Sequence, residues 1–188
     1  MFRHDHRDAV ASGLQDMQIN TKRLTLVPLS MDHLETAYAY SSDPVNTKYM
    51  VFLPVDSMEE TRKFIEDSQR ELEKDTPGYY EFAVLLGDKH IGSVNLYFDT
   101  APDIGELGWL FLPEYQGRGY ATEAAKGLLA WGRDRLGIRH FIAHCDAENR
   151  ASQAVMKKLG MTLTDATGTR KNRGSDEVRR EYLYELRI

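Results

Sequence analysis

The feature that most constrains this chain is the stretch 109–122, WLFLPEYQGRGYAT. An apolar run meets Pro113 and a polar corner. It then passes through Gln116, Gly117, Arg118, Gly119, Tyr120 and Ala121 into a long amphipathic segment. That order predicts a strand, a turn and the start of a helix. Gly117 and Gly119 have no Cβ, so the backbone there can adopt dihedrals closed to other residues and approach a ligand closely. The N–H groups of residues 117–122 are then the orphan donors of a helix's first turn, and with the helix dipole they form an anion site. Arg118 adds a positive charge. The expected ligand is a phosphate or pyrophosphate.

Two phosphate loops can be checked against these residues. The Walker pattern G-x-x-x-x-G-K-[ST] is missing, since no Gly-Lys-Ser/Thr occurs. The dinucleotide pattern G-x-G-x-x-G fails because Thr122 stands where its third glycine would be. The residues do resemble the Gln/Arg-x-x-Gly-x-Gly/Ala signature of the GNAT N-acetyltransferase superfamily, matched by Gln116, Gly119 and Ala121. In that family the loop holds the pyrophosphate of acetyl-coenzyme A. The resemblance therefore implies cofactor contacts from Gln116, Gly117, Arg118, Gly119, Tyr120, Ala121 and Thr122.

The rest of the chain supplies a consistent setting. Residues 1–18 are polar and without period, an arm with at most a short helix at 9–16, and the domain is expected over 19–188. A strand at 23–29 carries Pro28 near its end. Ser30 then caps a first helix that Asp43-Pro44 ends. Residues 45–56 are aromatic and irregular, as in segments that line a substrate mouth. Ser57 and Glu60 form a capping box for a second helix. Residues 79–86 and 90–98 read as strands around a Gly87-Asp88 hairpin turn, and 104–112 as a third strand leading into the glycine corner. The helix after the corner stops near Gly137. A strand at 139–145, a short helix at 152–159 closed by Gly160, and strands at 161–167 and 178–186 complete the chain. A strand, helix and strand of this length favour a parallel crossover, which places 139–145 beside 104–112.

This order of elements is similar to the whole GNAT fold, an α/β (α+β) architecture. It implies a mixed, mostly antiparallel central sheet, one parallel strand pair around the cofactor site, and flanking helices. Two more local matches carry the resemblance. Asn149-Arg150-Ala151-Ser152 with Lys158-Leu159-Gly160-Met161 resembles the family's Asn-x-x-Ser/Ala and Lys-Leu-Gly-Phe block. Asn149 can both donate and accept, which suits the amides of a pantetheine arm, and Asn149 or Ser152 can equally cap a helix. Gly105-Glu106-Leu107-Gly108-Trp109 resembles the branch containing the Rim-type ribosomal-protein alanine N-acetyltransferases. In that branch the backbone at Leu110, Phe111 and Leu112 meets the pantetheine, and Glu106 lies at the substrate end.

Charge and composition set limits. With a net charge of −5 over 188 residues and no basic block, nucleic acid is not an expected partner. A mildly acidic chain suits a cationic amine substrate. A single cysteine, Cys145, excludes an internal disulfide and a cysteine-rich metal site, and His4 and His6 lack further ligands, so no metal is expected. No apolar run is long enough to span a bilayer and no signal-peptide core is present, which leads to a cytoplasmic reading with no membrane partner. An aromatic-rich chain with exposed loops is compatible with a homodimer.

The implied chemistry is transfer of an acetyl group from acetyl-coenzyme A to a primary amine, a protein N-terminus or a small molecule. The amine attacks directly, so something must remove an ammonium proton, and Glu106 is the candidate base, directly or through water. Many members of the family place an acidic tyrosine seven residues after the asparagine. Met156 stands there and cannot donate a proton. His140 and His144 fall on one face of their strand and are read as core packing. Cys145 has no partnered base for a nucleophilic role. Rival readings are a non-catalytic acyl-coenzyme A sensor and a generic nucleotide-phosphate binder.

Overall fold

The computed structural model describes residues 17–101 and 103–188. The expected arm, including His4, His6 and its short helix, lies largely outside them. Met17, assigned to that arm, packs against the main core.

Eight strands form one sheet in the order β1-β2-β3-β4-β5-β6-β8-β7. They are β1 (Ile19–Asn20), β2 (Thr25–Pro28), β3 (Tyr79–Leu86), β4 (Lys89–Ala101), β5 (Ile104–Phe111), β6 (His140–Asp146), β7 (Thr162–Lys171) and β8 (Val178–Arg187). Among the described residues, four α-helices accompany them: α1 (Leu34–Ser42), α2 (Met58–Glu71), α3 (Tyr120–Leu136) and α4 (Arg150–Lys158). Every pairing is antiparallel except β5 with β6, which are parallel across the α3 crossover. The mixed sheet, its parallel pair and its flanking helices agree with the sequence reading. The eighth strand, β1, does not appear in that reading, because two residues carry no period.

Alternation along the strands sorts the two faces. Tyr80, Phe82 and Val84 of β3 join Leu107 and Phe111 of β5 in a core under α3 and α4. Trp131 of α3 meets Tyr80 and Phe82 edge-on at 5.0 and 5.4 Å. Fully burying side chains such as Phe82, Phe141 and Leu128 stabilises the fold by roughly 1.5–3 kcal/mol each. The opposite face packs Ala83 with Leu34, Ala37 and Tyr40 of α1 and Ile65 of α2, and Leu110 and Leu112 border that smaller core. The domain is thus a sheet between two helical layers.

The helix ends follow local chemistry. Ser57 accepts from the Glu60 N–H at 3.2 Å, and Glu60 returns the bond to the N–H of Asp56 rather than to that of Ser57. Gly137, at φ 73°, ends α3 in the left-handed region, with Ile138 N–H reaching back to Gly132.

Candidate active site

The glycine corner is a short 3-10 turn (Pro113–Tyr115) followed by Gly117 at φ 72° and Gly119 at φ 81°, both left-handed. Gly119 is the N-cap of α3, and no side chain caps the helix. The N–H groups of Tyr120, Ala121 and Thr122 are therefore first-turn donors without a capping acceptor. A Cβ on Gly117 would meet nothing within 4 Å, and one on Gly119 only the Arg23 guanidinium at 3.6 Å. These glycines serve the backbone's shape and leave open space in front of it, which suits a bulky anion.

Arg118 is exposed and makes no ion pair among the described residues. A second guanidinium, absent from the sequence reading, stands beside it. Arg23 pairs with Glu123 of α3 at 2.6 Å, donates to the Arg118 carbonyl at 3.2 Å, and lies 4.4 Å over the Tyr120 ring. Nothing local in the sequence links residues 23 and 123. Gln116 holds the corner from behind, its amide donating to Asn46 at 2.7 Å and to the Phe111 carbonyl at 3.0 Å.

The strand leading to the corner opens a notch. β5 and β6 are in register at Ile104↔His140, Gly105↔Phe141 and Glu106↔Ile142, and no pair follows, although β5 runs on to Phe111 and β6 to Asp146. The backbone edge of β5 beyond Glu106 is therefore unpaired toward β6. Of the three residues expected to offer backbone there, Leu112 spends its N–H on the Ile91 carbonyl of β4 at 3.0 Å. By alternation Leu110 also faces β4, while Phe111 and Trp109 turn their peptide groups into the notch. The Phe111 carbonyl already accepts from Asn46 at 3.1 Å and from Gln116. Trp109 thus offers the open peptide edge, a position the sequence reading passed over.

On the far wall, Asn149 caps α4 by accepting from the Ser152 N–H at 3.1 Å, and the Ser152 hydroxyl accepts from the Trp109 indole at 3.3 Å. The capping role of Asn149 is thus real, and its amide N–H₂ group remains as a donor. Met156 is 1% exposed and belongs to the main core, so no acid stands at that position. Burial raises the Cys145 thiol to about 11, which removes it as a nucleophile at neutral pH.

Glu106 and the two histidines differ from expectation. His140 and His144 do share a face, but neither is core packing, since each is partly exposed and bonded to a carboxylate. His140 Nε2 meets Glu185 at 2.7 Å, and His144 Nδ1 meets Glu106 at 2.8 Å. The hydrogen bond to the Glu106 carboxylate, against desolvation, raises the His144 pKa above its usual value. A histidine and a carboxylate 38 residues apart become neighbours only through the parallel register.

Over this face the segment 45–56 is tied to the β7–β8 turn. Arg170 donates to the Tyr49 carbonyl, Asn172 to that of Lys48, and the Arg173 N–H to that of Met50. The Arg173 guanidinium adds Asp56 at 2.6 Å and Glu60. Behind them, Asp146 is buried. Burial alone would raise its carboxyl, but Arg179, the Glu148 N–H and Asn172 together hold it below the usual carboxylate range.

Comparison with known proteins agrees with this geometry. The acetyltransferase (GNAT) domain family matches residues 23–162. YnaD of Bacillus subtilis, an uncharacterized N-acetyltransferase, is 33% identical over 149 residues, covering 77% of this chain and 82% of its own length. A GNAT-family acetyltransferase from Bacillus anthracis superposes with a TM-score of 0.79 at 28% identity, covering 91% of this chain and 98% of that one. RimL, a ribosomal L7/L12 alpha-N-protein acetyltransferase solved with coenzyme A, shares the fold with a TM-score of 0.80 at 18% identity, over 91% of this chain and 98% of its own. With the family match spanning most of its length, the chain belongs to the GNAT family and is an acetyl-CoA-dependent N-acetyltransferase.

Proposed function

We propose that the protein acetylates a primary amine, either a small molecule or a protein N-terminus, by direct attack on acetyl-CoA in a ternary complex. The observation that carries this reading is the parting of β5 from β6 immediately after Glu106, beside the uncapped start of α3. The N–H groups of residues 117–122, with Arg118 and Arg23, are suited to a pyrophosphate. The peptide edge at Trp109 and Phe111 is suited to the amides of a pantetheine arm, as is the Asn149 amide. Glu106 stands at the vertex of the notch, on the sheet face opposite α3, and is the carboxylate that drives removal of the amine's proton, directly or through an intervening group. Because residues 48–56 are fastened to 170–173 above that face, the compartment favours the smaller acceptors.

The test is thiol release from acetyl-CoA in the presence of ethanolamine, putrescine or an alanyl tripeptide, with the product identified by mass. Amine-dependent release with an acetylated amine supports the reading. Binding of acetyl-CoA with no acetylation of any amine contradicts it and favours the acyl-CoA sensor.

A further inference from the structure

We propose that His144 is the group that takes the proton from the attacking amine, and that Glu106 is its positioning carboxylate. The inference rests on the amine-acetylating reading above and names the proton's first stop. Glu106 Oε1 lies 2.8 Å from His144 Nδ1. An ionised carboxylate can only accept, so Nδ1 carries the hydrogen and donates it. The neutral ring then keeps its lone pair on Nε2, which has no hydrogen-bond partner among the described residues. A carboxylate at one nitrogen and a free lone pair at the other is the arrangement in which histidine acts as a general base.

The placement fits that role. Glu106 is the last β5 residue in register with β6, opposite Ile142, and His144 lies two residues further along β6 on the same face. The pair therefore spans the point where the notch begins. Both backbones are held by paired strands, Glu106 against Tyr97 and His144 against Leu183, so the two side chains are set on rigid elements. The His144 and Glu106 side chains are 30% and 32% exposed, open enough to exchange protons with water. The charged groups facing His144 come from three strands: Glu106 of β5, Glu181 of β8 and Arg170 of β7. The hydrogen bond to Glu106 is the largest of the influences on the ring and makes it a better base near neutral pH.

The protons balance through this one side chain. Nε2 takes the first proton from the ammonium and passes it to water. The freed amine nitrogen forms the new C–N bond at the thioester carbonyl, and the C–S bond breaks as the intermediate collapses. Nε2 takes the second proton from the nitrogen and returns it to the departing thiolate, leaving an amide and a thiol. The same residue thus supplies the proton donor that Met156 cannot.

The first test needs no acceptor. Long-range proton–nitrogen correlation spectra of the ¹⁵N-labelled protein should show His144 as the Nδ1–H tautomer with a raised pKa, and Glu106→Gln should lower that pKa. An Nε2–H tautomer overturns the proposal. The second test uses thiol release with the same three amines. His144→Gln should lower kcat by about 100-fold or more with the KM for acetyl-CoA unchanged. His144→Ala should regain activity when imidazole is added, which a purely structural role would not produce. Wild-type turnover with an equally active His144→Gln overturns this proposal alone. A wild type that acetylates no amine overturns the proposed function and this inference with it.

Discussion

The proposed donor side of the site and its proposed acceptor side are built by different means. The donor side is made largely of backbone within a dozen residues: two left-handed glycines, an uncapped helix start and a bare strand edge. The acceptor side is made of side chains from distant segments. Glu106 meets His144, Arg170 reaches back to Tyr49, and Arg173 gathers Asp56 and Glu60. A backbone device must be written contiguously, because it depends on dihedrals and on the absence of Cβ atoms. A side-chain pair can be redrawn without moving the fold. Changes on the acceptor side are therefore expected to alter amine preference while leaving cofactor binding on the donor side intact.

Variants can break this division or sharpen it. The largest effect is expected for Glu106→Gln, which should lower kcat by about 100-fold or more while leaving acetyl-CoA affinity within about 2-fold. Parallel loss of cofactor affinity in titration would show that the two sides are not separable. Arg173→Ala, which frees Phe52, Asp56 and Glu60 from the β7–β8 turn, should raise the acceptor KM several-fold and admit longer peptide amines, again with unchanged cofactor binding. Steady-state kinetics on the alanyl tripeptide against ethanolamine reads this directly.

A third variant concerns the polar floor beneath α1. Glu81 is buried, with one carboxyl oxygen unpartnered among the described residues. Burial pushes its carboxyl up to about 8, against hydrogen bonds from Ser93, Asn95 and Tyr97. Between its ordinary value of 4.5 and about 8 the folded state keeps a proton that the unfolded chain has lost, so stability falls as pH rises through that window and then levels off. Glu81→Gln removes the titration. Its melting temperature should exceed that of the wild type above pH 8, with the gap closing toward pH 5. Melting curves that stay parallel across the range would contradict this. The smallest effect is expected for Ser57→Ala, which deletes the α2 cap and should cost about 1 kcal/mol in denaturant unfolding without touching either half of the site.

The legibility of the chain follows the same division. The corner, the capping box at Ser57, the stop at Gly137 and the β5–β6 crossover are all local signals, and each was readable from residue types at fixed offsets. Asn149 was readable as a cap for the same reason. Arg23 at the corner, Trp109 as the open peptide edge, and His144 as the partner of Glu106 were not. The first needs the contact between residues 23 and 123. The second needs the hydrogen-bond parity of β5, which a one-residue shift would reverse. The third needs the parallel register that sets Glu106 opposite Ile142. The two-residue strand β1 was missed because its pairing with β2 carries it, rather than any pattern of its own.

The most direct test of the account is calorimetric titration of acetyl-CoA into the wild type and into an Arg118→Glu, Gly119→Asp double variant. The variant places two carboxylates where the corner offers a guanidinium and bare N–H groups. The account expects saturable one-site binding by the wild type and a loss on the order of 100-fold in the variant, about 2.7 kcal/mol, with the melting temperature nearly unchanged. Equal affinity in the two proteins would contradict it, and would return the glycine corner to the role of an ordinary helix start.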